Sequence, residues 1–210
     1  MNKIDLRKQY KEFYNPPADH VTIVTIPTFQ FVMIDGRIEP GTTPGTSPSF
    51  QQAMDVLYGA AYTLKFMSKL RRENPIDYTV MGLEALWWIE DGEFDITKPD
   101  NWYWTAMILQ PDHITDDMFR EAQIKIKEKK PNPGIDKLRL DKFNEGLCVQ
   151  IMHVGPYATE PITVKKMEEF AAKNGYQMQH KHHEVYIGNP LRADPARLKT
   201  ILRHPIKRAF

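Results

Sequence analysis

The order of the predicted secondary-structure elements occurs twice along the chain, and this repetition limits the possible folds more than any other feature. The first half reads as strand, helix, strand, strand, at 21–34 with a break at Pro27, 50–64, 80–89 and 102–109. The second half reads in the same order, at 147–154, 159–174, 182–187 and 200–206. Each unit has one helix to cover one side of its strands, so the chain predicts a duplicated α+β architecture.

Strands from the two halves are predicted to pair into a continuous antiparallel sheet, with the helices on one face and a concave face left open. We expect a single domain over residues 1–210, with the first repeat at about 21–110, a connecting helix at about 115–130 and the second repeat at about 145–208.

The composition of the chain argues against several other classes of protein. Its 28 Lys and Arg residues balance 27 Asp and Glu residues, and 41% of the residues are hydrophobic, which disfavours a disordered segment and a nucleic-acid binder built on a cationic excess. No run of about 18 apolar residues is present, and the first residues lack the apolar core of a signal peptide. A single cysteine fits a reducing compartment. We therefore expect a cytoplasmic protein, favoured as a monomer, with neither nucleic acid nor a membrane as partner.

The middle strands of the two halves carry glutamates at corresponding positions. Placing Glu84 on Glu184, an offset of 100 residues, aligns these strands. Because side chains alternate across a strand, Glu184 shares a face with His182 and Tyr186. Glu84 shares a face with Trp88 in the same way, and both carboxylates are expected to look into the concavity of the sheet. The apolar positions expected under the helices are Leu83, Ala85, Trp87, Val185 and Ile187.

Glu184 is the sharpest candidate for chemistry. An exposed glutamate in the middle of a strand is common, but matching glutamates in two halves, each near aromatic residues, favour a functional role. Burial among rings disfavours the charged form of a carboxylate, which makes such a group a proton acceptor or a partner for a cationic ligand. Surrounding rings would add stacking and cation–π attraction of about 0.5–2 kcal/mol each.

The histidines beside Glu184 raise the alternative of a metal site. His180, His182 and His183 are close to it in the sequence, and alternate residues of a strand can converge on one ion. The segment lacks the helical His-Glu-x-x-His spacing, and His153 is the only further ligand candidate nearby. A polar strand end is the favoured interpretation, so we expect no metal and no other cofactor.

Two other features receive structural interpretations. Cys148 lies among apolar strand residues, where a buried thiol is unreactive. The basic residues between Lys125 and Lys130 alternate with apolar residues and are typical of a solvated helix face. No glycine-rich phosphate loop follows a predicted strand.

Four motifs, in this order, resemble those of GyrI-like small-molecule-binding proteins. They are Phe31-Val32-Met33-Ile34-Asp35-Gly36, Gly82-Leu83-Glu84-Ala85-Leu86-Trp87-Trp88, Gln150-Ile151-Met152-His153-Val154-Gly155-Pro156-Tyr157 and His182-His183-Glu184-Val185-Tyr186-Ile187. The resemblance covers nearly the whole chain. It implies a pseudo-twofold pair of strand-helix-strand-strand units with a ligand cleft between them, as in the effector domains of multidrug-sensing regulators.

The resemblance also implies a ligand class. Members of this superfamily include gyrase-inhibitory proteins and drug-sensing effector domains, in which a buried glutamate faces flat, often cationic ligands, and Glu184 is at the similar position. The Trp87-Trp88 and His182-His183-Glu184 forms look most like a stand-alone subfamily that hydrolyses cyclopropanoid DNA-alkylating natural products within an aromatic cage. Planar hydrophobic or cationic small molecules are therefore the implied partners.

This resemblance assigns a role to each candidate residue. Glu184 would orient or deprotonate the attacking water, and the hydroxyl of Tyr157 would donate to the substrate carbonyl. Aromatic and polar residues would clamp the ring system in a reactive pose. These ligand-binding candidates are Trp88, Trp104, Tyr186, Glu84, Trp87 and His182. The alternative is a non-catalytic protein that sequesters planar or cationic drugs, or one that modulates gyrase.

Overall fold

The computed structural model describes residues 3–92, 94–99, 101–179, 181–188 and 193–209. Its strands are β1 (Lys3–Ile4), β2 (Thr22–Arg37), β3 (Asp77–Tyr78), β4 (Glu84–Trp88), β5 (Tyr103–Gln110), β6 (Arg139–Val154), β7 (Tyr176–Met178), β8 (His182–Tyr186) and β9 (Lys199–Arg208). Its α-helices are α1 (Leu6–Gln9), α2 (Lys11–Tyr14), α3 (Pro48–Leu70), α4 (Asp116–Lys129) and α5 (Glu160–Lys173), with short 3-10 helices at Pro133–Lys137, Tyr157–Thr159 and Pro195–Arg197. The first unit is β2-α3-β4-β5, the second is β6-α5-β8-β9, and α4 lies between them.

Six strands form an antiparallel sheet that closes on itself. Their order is β6-β2-β5-β4-β8-β9, and β9 pairs back onto β6 from Cys148–Pro205 to Val154–Lys199. The predicted α+β fold with an antiparallel sheet is confirmed, and closure makes the sheet a barrel-like ring. Closure pairs the strand edges that an open sheet would expose.

Strand β2 continues through Pro27, which was expected to break it. The ladder between β2 and β6 passes from Ile26–Gly146 to Thr28–Asn144. Pro27 lies between these two pairs. Proline has no N–H to donate, and the ladder continues on both sides of this position. One long strand therefore replaces the two predicted short ones.

The helices cover the outer face of the ring. Ser47 caps α3, because its hydroxyl accepts a hydrogen bond from the Phe50 N–H at 3.3 Å. The ring of Phe50 packs against Trp87 and Trp104, at centroid distances of 5.0 and 5.2 Å. Helix α5 covers the second unit with a smaller apolar cluster that includes Met167 and Leu202. None of the helices in the described part of the chain is long and apolar enough to cross a membrane.

Helices α1 and α2 close one end of the ring. Phe13 and Tyr14 are buried there. The Arg203 guanidinium of β9 donates from Nη2 to the Phe13 carbonyl at 2.7 Å, and Gln150 of β6 donates to the Glu12 carbonyl at 2.8 Å. The N-terminal segment is thus attached to β6 and β9, the first and last strands of the second unit.

Candidate functional site

The register of β4 on β8 decides which side chains lie together. Ala85 lies opposite Glu184, and Glu84 lies opposite Val185. Directly opposed residues of an antiparallel pair share a face, so Glu184 faces outward, on the side of the helices, while Glu84 faces into the ring. The expectation that both carboxylates look into one cleft is therefore wrong, as is the placement of Val185 under a helix. The sequence alignment of the two repeats that places Glu84 on Glu184 is therefore shifted by one residue. A shift of one residue along a strand moves every side chain to the opposite face of the sheet.

The interior of the ring holds a polar cluster around Glu84. Tyr14 donates its hydroxyl proton to Glu84 Oε1 at 2.8 Å, and His183 Nε2 lies 3.2 Å from Glu84 Oε2. His183 Nδ1 lies 3.0 Å from Glu145, which also accepts a hydrogen bond from Arg203 Nη1 at 3.1 Å. Each of these residues is at most 8% exposed.

The charges in this cluster compensate one another. Burial alone would raise the pKa of Glu145, but the charges of His183 and Arg203 outweigh it and hold that pKa at about 2. Burial alone would lower the pKa of His183, but the Glu145 carboxylate raises it to about 9. Carboxylate, imidazolium and guanidinium are thus charged together at neutral pH. Glu84 belongs to this compensated cluster and not to the face that carries Glu184.

Trp88 also lies away from Glu184. It shares the face of Glu84 at the far end of β4, where its ring stacks on Tyr103 at a centroid distance of 6.0 Å. The Lys181 ammonium lies 3.2 Å from the centroid of the Trp88 indole ring. The prediction that Trp88 clamps a ligand beside Glu184 is therefore wrong, because the register puts the two residues on opposite faces of the sheet.

Glu184 is held on the outer face by its neighbours along β8, and it is 6% exposed. His182 Nε2 lies 3.2 Å from Glu184 Oε1, and Tyr186 donates its hydroxyl proton to Oε2 at 2.5 Å. The ring of Tyr157 meets Tyr186 edge-on at a centroid distance of 6.0 Å. Burial, with the nearby carboxyls, raises the pKa of Tyr157 to about 12, so this phenol keeps its proton. Four of the predicted site residues thus lie together.

A second carboxyl, Glu160, reaches the same place from the first turn of α5. It is 2% exposed, and its Oε1 has no hydrogen-bond partner among the described residues. One ligand atom from each of Glu160, His182 and Glu184 lies within 4.8 Å of the other two. Burial and the charge of Glu184 raise the pKa of Glu160 to about 9. In the part of the chain described, neither carboxyl has an ion pair with Lys or Arg.

Aromatic rings of the first unit adjoin His182, the histidine that contacts Glu184. Trp87 lies opposite His182 in the ladder, and Phe94 stacks on His182 at a centroid distance of 5.8 Å. Trp102 contacts both, at 4.9 Å from Phe94 and 5.5 Å from Trp87. Trp104 lies on the same face, opposite Trp87. Within the described residues, the indole N–H groups of Trp87, Trp102 and Trp104 are buried and have no hydrogen-bond partner.

Glycine allows two close approaches on this face. A Cβ on Gly36 would lie 2.1 Å from the Trp104 ring, and one on Gly82 would lie 2.5 Å from the carbonyl oxygen of Tyr186. The bare backbone at these positions lets Trp104 lie across β2 and lets the chain before β4 pass beside β8. Both glycines occur in the motifs that carry the family resemblance.

Three residues of this site carry no sequence signal that marks them. An acidic residue in the first turn of a helix, such as Glu160, is ordinarily explained by the helix dipole. Phe94 lies in the polar connection between β4 and β5, and His204, on β9, has its Nε2 2.7 Å from His182 Nδ1. His180, a candidate in the histidine cluster, lies outside the described residues, and His183 is part of the interior cluster.

The site combines two buried carboxyls, a histidine and two tyrosine hydroxyls with a wall of rings. Burying acids without a basic partner is unfavourable unless protons or ligands compensate them.

Comparisons with known proteins agree with the fold described above. A model of the GyrI-like small molecule binding domain matches residues 19–207. An uncharacterized conserved protein from Listeria innocua is 37% identical, with a TM-score of 0.88, and the match covers 97% of this chain and 100% of that one. A hydrolase from Listeria innocua is 35% identical, with a TM-score of 0.85, and the match covers 98% of this chain and 100% of that one.

The C-terminal domain of EcmrR is similar in fold alone, at 11% identity and a TM-score of 0.54, with 90% of this chain and 98% of that one covered. No curated protein sequence matches the chain. The domain model spans nearly the whole sequence, and relatives above 30% identity cover it from end to end. The chain therefore belongs to the family of GyrI-like small-molecule-binding proteins.

Proposed function

We propose that this protein binds planar hydrophobic or cationic small molecules beside Glu184 and hydrolyses the strained ring of cyclopropanoid DNA-alkylating compounds. The observation that carries the proposal is a carboxylate only 6% exposed, next to aromatic rings and with no Lys or Arg ion pair among the described residues. Such a group favours a flat, electron-poor ligand. Two Listeria innocua proteins, 34% and 35% identical, are described as hydrolases, which supports water addition over binding alone.

The proposed reaction adds one water across one strained carbon–carbon bond. The water oxygen attacks the cyclopropane methylene, the bond to the ring carbon breaks, and its electron pair passes through the dienone to the carbonyl oxygen. That oxygen becomes a phenolate and then takes up a proton. Glu184 orients the water and accepts the proton that the water loses.

Protein groups around Glu184 supply the remaining requirements. Tyr157 keeps its proton, because burial first and the nearby carboxyls second raise its pKa to about 12, so its hydroxyl donates to the developing oxyanion. Tyr186 fixes one oxygen of Glu184 by its 2.5 Å hydrogen bond. Trp87 and Phe94 hold the ring system in one pose, with Trp104 beside Trp87 on the neighbouring strand. Release of ring strain drives the reaction, so positioning is the main demand on the protein.

The test is turnover of a cyclopropyl-dienone alkylator by the purified protein, with the ring-opened product followed by liquid chromatography and mass spectrometry. We expect Glu184→Gln to lower kcat/KM by about 10²–10⁴-fold. The matched control is Glu169→Gln, an exposed glutamate on α5, which should retain wild-type turnover. All four tryptophans lie between residues 87 and 104, so tryptophan fluorescence measures binding separately.

Two results would contradict parts of the proposal. Binding of the alkylator by the wild type without consumption would make the protein a sequestering binder. Unchanged turnover by Glu184→Gln would remove this carboxylate from the reaction.

A further inference from the structure

We infer that Glu160, His182 and Glu184 form a binding site for a divalent transition-metal ion, with Zn²⁺ as the first expectation. The inference shares residues with the proposed function but does not depend on its reaction, because metal binding is measured without a substrate. Two carboxylate oxygens and one imidazole nitrogen are a donor set that zinc accepts in proteins.

The three donor atoms already lie close together. All of them are within 4.8 Å of one another, and His182 Nε2 is 3.2 Å from Glu184 Oε1. Donors bound to one tetrahedral ion at about 2.0–2.2 Å are roughly 3.4 Å apart, so the Glu160 carboxyl would have to move by up to about 1.4 Å to complete the site. Glu160 is the first residue of α5, and His182 and Glu184 are the first and third residues of β8.

The neighbours of these donors match the outer shell of a metal site. His182 Nδ1 lies 2.7 Å from His204 Nε2, so the second ring nitrogen is engaged while Nε2 points at the carboxyls. The Glu184 oxygen that would not bind the metal, Oε2, accepts the hydrogen bond from Tyr186. Ligating histidines and carboxylates in metalloproteins are usually held in this way by a second hydrogen bond.

Glu160 supplies the independent observation that points to a ligand. Its Oε1 is unpartnered among the described residues, although Glu160 is only 2% exposed. A buried carboxyl oxygen without a partner is costly, and a bound cation would displace the proton that compensates Glu160 beside Glu184. A divalent cation would satisfy both acids at once, which no Lys or Arg does in the part of the chain described.

Three protein donors leave one position of a tetrahedral ion open, and this is the arrangement of zinc sites that act on a water or a substrate. The open position would hold the water that Glu184 is proposed to orient. A metal-bound water is also more acidic than a free one, so with an ion bound the metal would activate the water and Glu184 would act as a ligand instead of as the base.

The test uses protein without an affinity tag, stripped with a chelator and titrated with Zn²⁺ by calorimetry and with Co²⁺ by visible absorption. We expect one ion per chain and a Co²⁺ spectrum of low coordination number. Glu160→Gln should weaken Zn²⁺ binding by at least about 100-fold, and Tyr186→Phe by about 10–100-fold. The control Glu169→Gln, on the exposed side of α5, should bind as the wild type does.

Circular dichroism establishes that each variant is folded, and Glu184→Gln replaces Glu160→Gln if the latter does not fold. Absence of stoichiometric binding by the wild type, or wild-type affinity in the folded carboxyl variants, would overturn the metal site. Turnover of the alkylator in excess chelator separates the two proposals. If metal fails to bind and turnover persists, the metal inference falls and the proposed function stands.

Discussion

Two acidic clusters lie on opposite faces of the same pair of strands, and only one of them has basic partners. Inside the ring, Glu145 lies between His183 and Arg203 at 3.0 and 3.1 Å. On the outer face, Glu184 contacts His182 and the Tyr186 hydroxyl, and Glu160 lies beside it. Neither carboxyl has an ion pair with Lys or Arg among the described residues.

This difference separates the charges that hold the fold from those that are available to a ligand. A buried acid with a buried base beside it is already compensated and has little to gain from a further cation. A buried acid without one remains a cost to the folded state until a proton, metal ion or organic cation joins it. Substitutions in either cluster, and the pH dependence of stability, distinguish the two kinds of acid.

The largest effect is expected inside the ring. Glu145→Gln should lower the free energy of unfolding by about 3–5 kcal/mol, because it leaves the Arg203 guanidinium and His183 buried without their carboxylate. Urea denaturation measures the change, and Asp141→Asn, exposed on the same strand, is the control. If Glu145→Gln lowers the free energy of unfolding no more than the control does, the interior acid is not stabilised by its basic partners, and the contrast between the two clusters fails.

The pH dependence of stability should follow the interior cluster next. The folded-state pKa of His183 is raised to about 9, so its contribution is fully present below about pH 6.5 and is lost as the pH rises through 9. The pKa of Glu145 is lowered to about 2, so its contribution is present above about pH 4.5 and is lost as the pH falls through 2. Urea titrations from pH 6.5 to 9 should show a decline on the order of 2–3 kcal/mol. The slope should flatten in Glu145→Gln, and an equal slope there would contradict the assignment.

A smaller effect is expected where the N-terminal segment meets the interior cluster. Tyr14→Phe removes the 2.8 Å hydrogen bond to Glu84 and leaves that buried carboxyl oxygen short of a donor. We expect a loss of about 1–2 kcal/mol in the free energy of unfolding. Tyr62→Phe, on the exposed side of α3, should cost nothing measurable in the same assay.

The smallest effect is expected on the outer face, although the residue changed is just as buried. Glu160→Gln in metal-free protein should leave the free energy of unfolding within about 1 kcal/mol of wild type, or raise it, because no basic partner is lost. Thermal denaturation with and without chelator measures this. A loss comparable to that of Glu145→Gln would show that the outer acids are compensated after all.

Local patterns were enough to predict the helices and most strands of the two repeats, and their order, but not the short strands β1, β3 and β7. The apolar stripe from Phe50 to Leu64 predicts α3, and the alternation in 182–187 predicts β8, because both depend on residues near one another in sequence. The faces of Glu84 and Trp88 could not be derived in this way. They depend on how β4 pairs with β8 about 100 residues later, and a single step of register reverses them.

The second unit also departs from the rule that apolar side chains lie under helices. In β4 the apolar pair Ala85 and Trp87 faces outward, as predicted. In β8 the polar residues His182 and Glu184 face outward, and Val185 faces into the ring. A residue pattern alone favours the apolar set for the covered face, and such exceptions are expected where a site is built into a fold.

The attachment of the N-terminal segment has a consequence for how the chain matures. Glu12 and Phe13 accept hydrogen bonds from strands that follow them by 138 and 190 residues. These partners do not yet exist while the first half leaves the ribosome, so the Glu12 and Phe13 carbonyls lack their native hydrogen bonds until β6 and β9 have been synthesised. The segment that is synthesised first is therefore among the last to form its native hydrogen bonds.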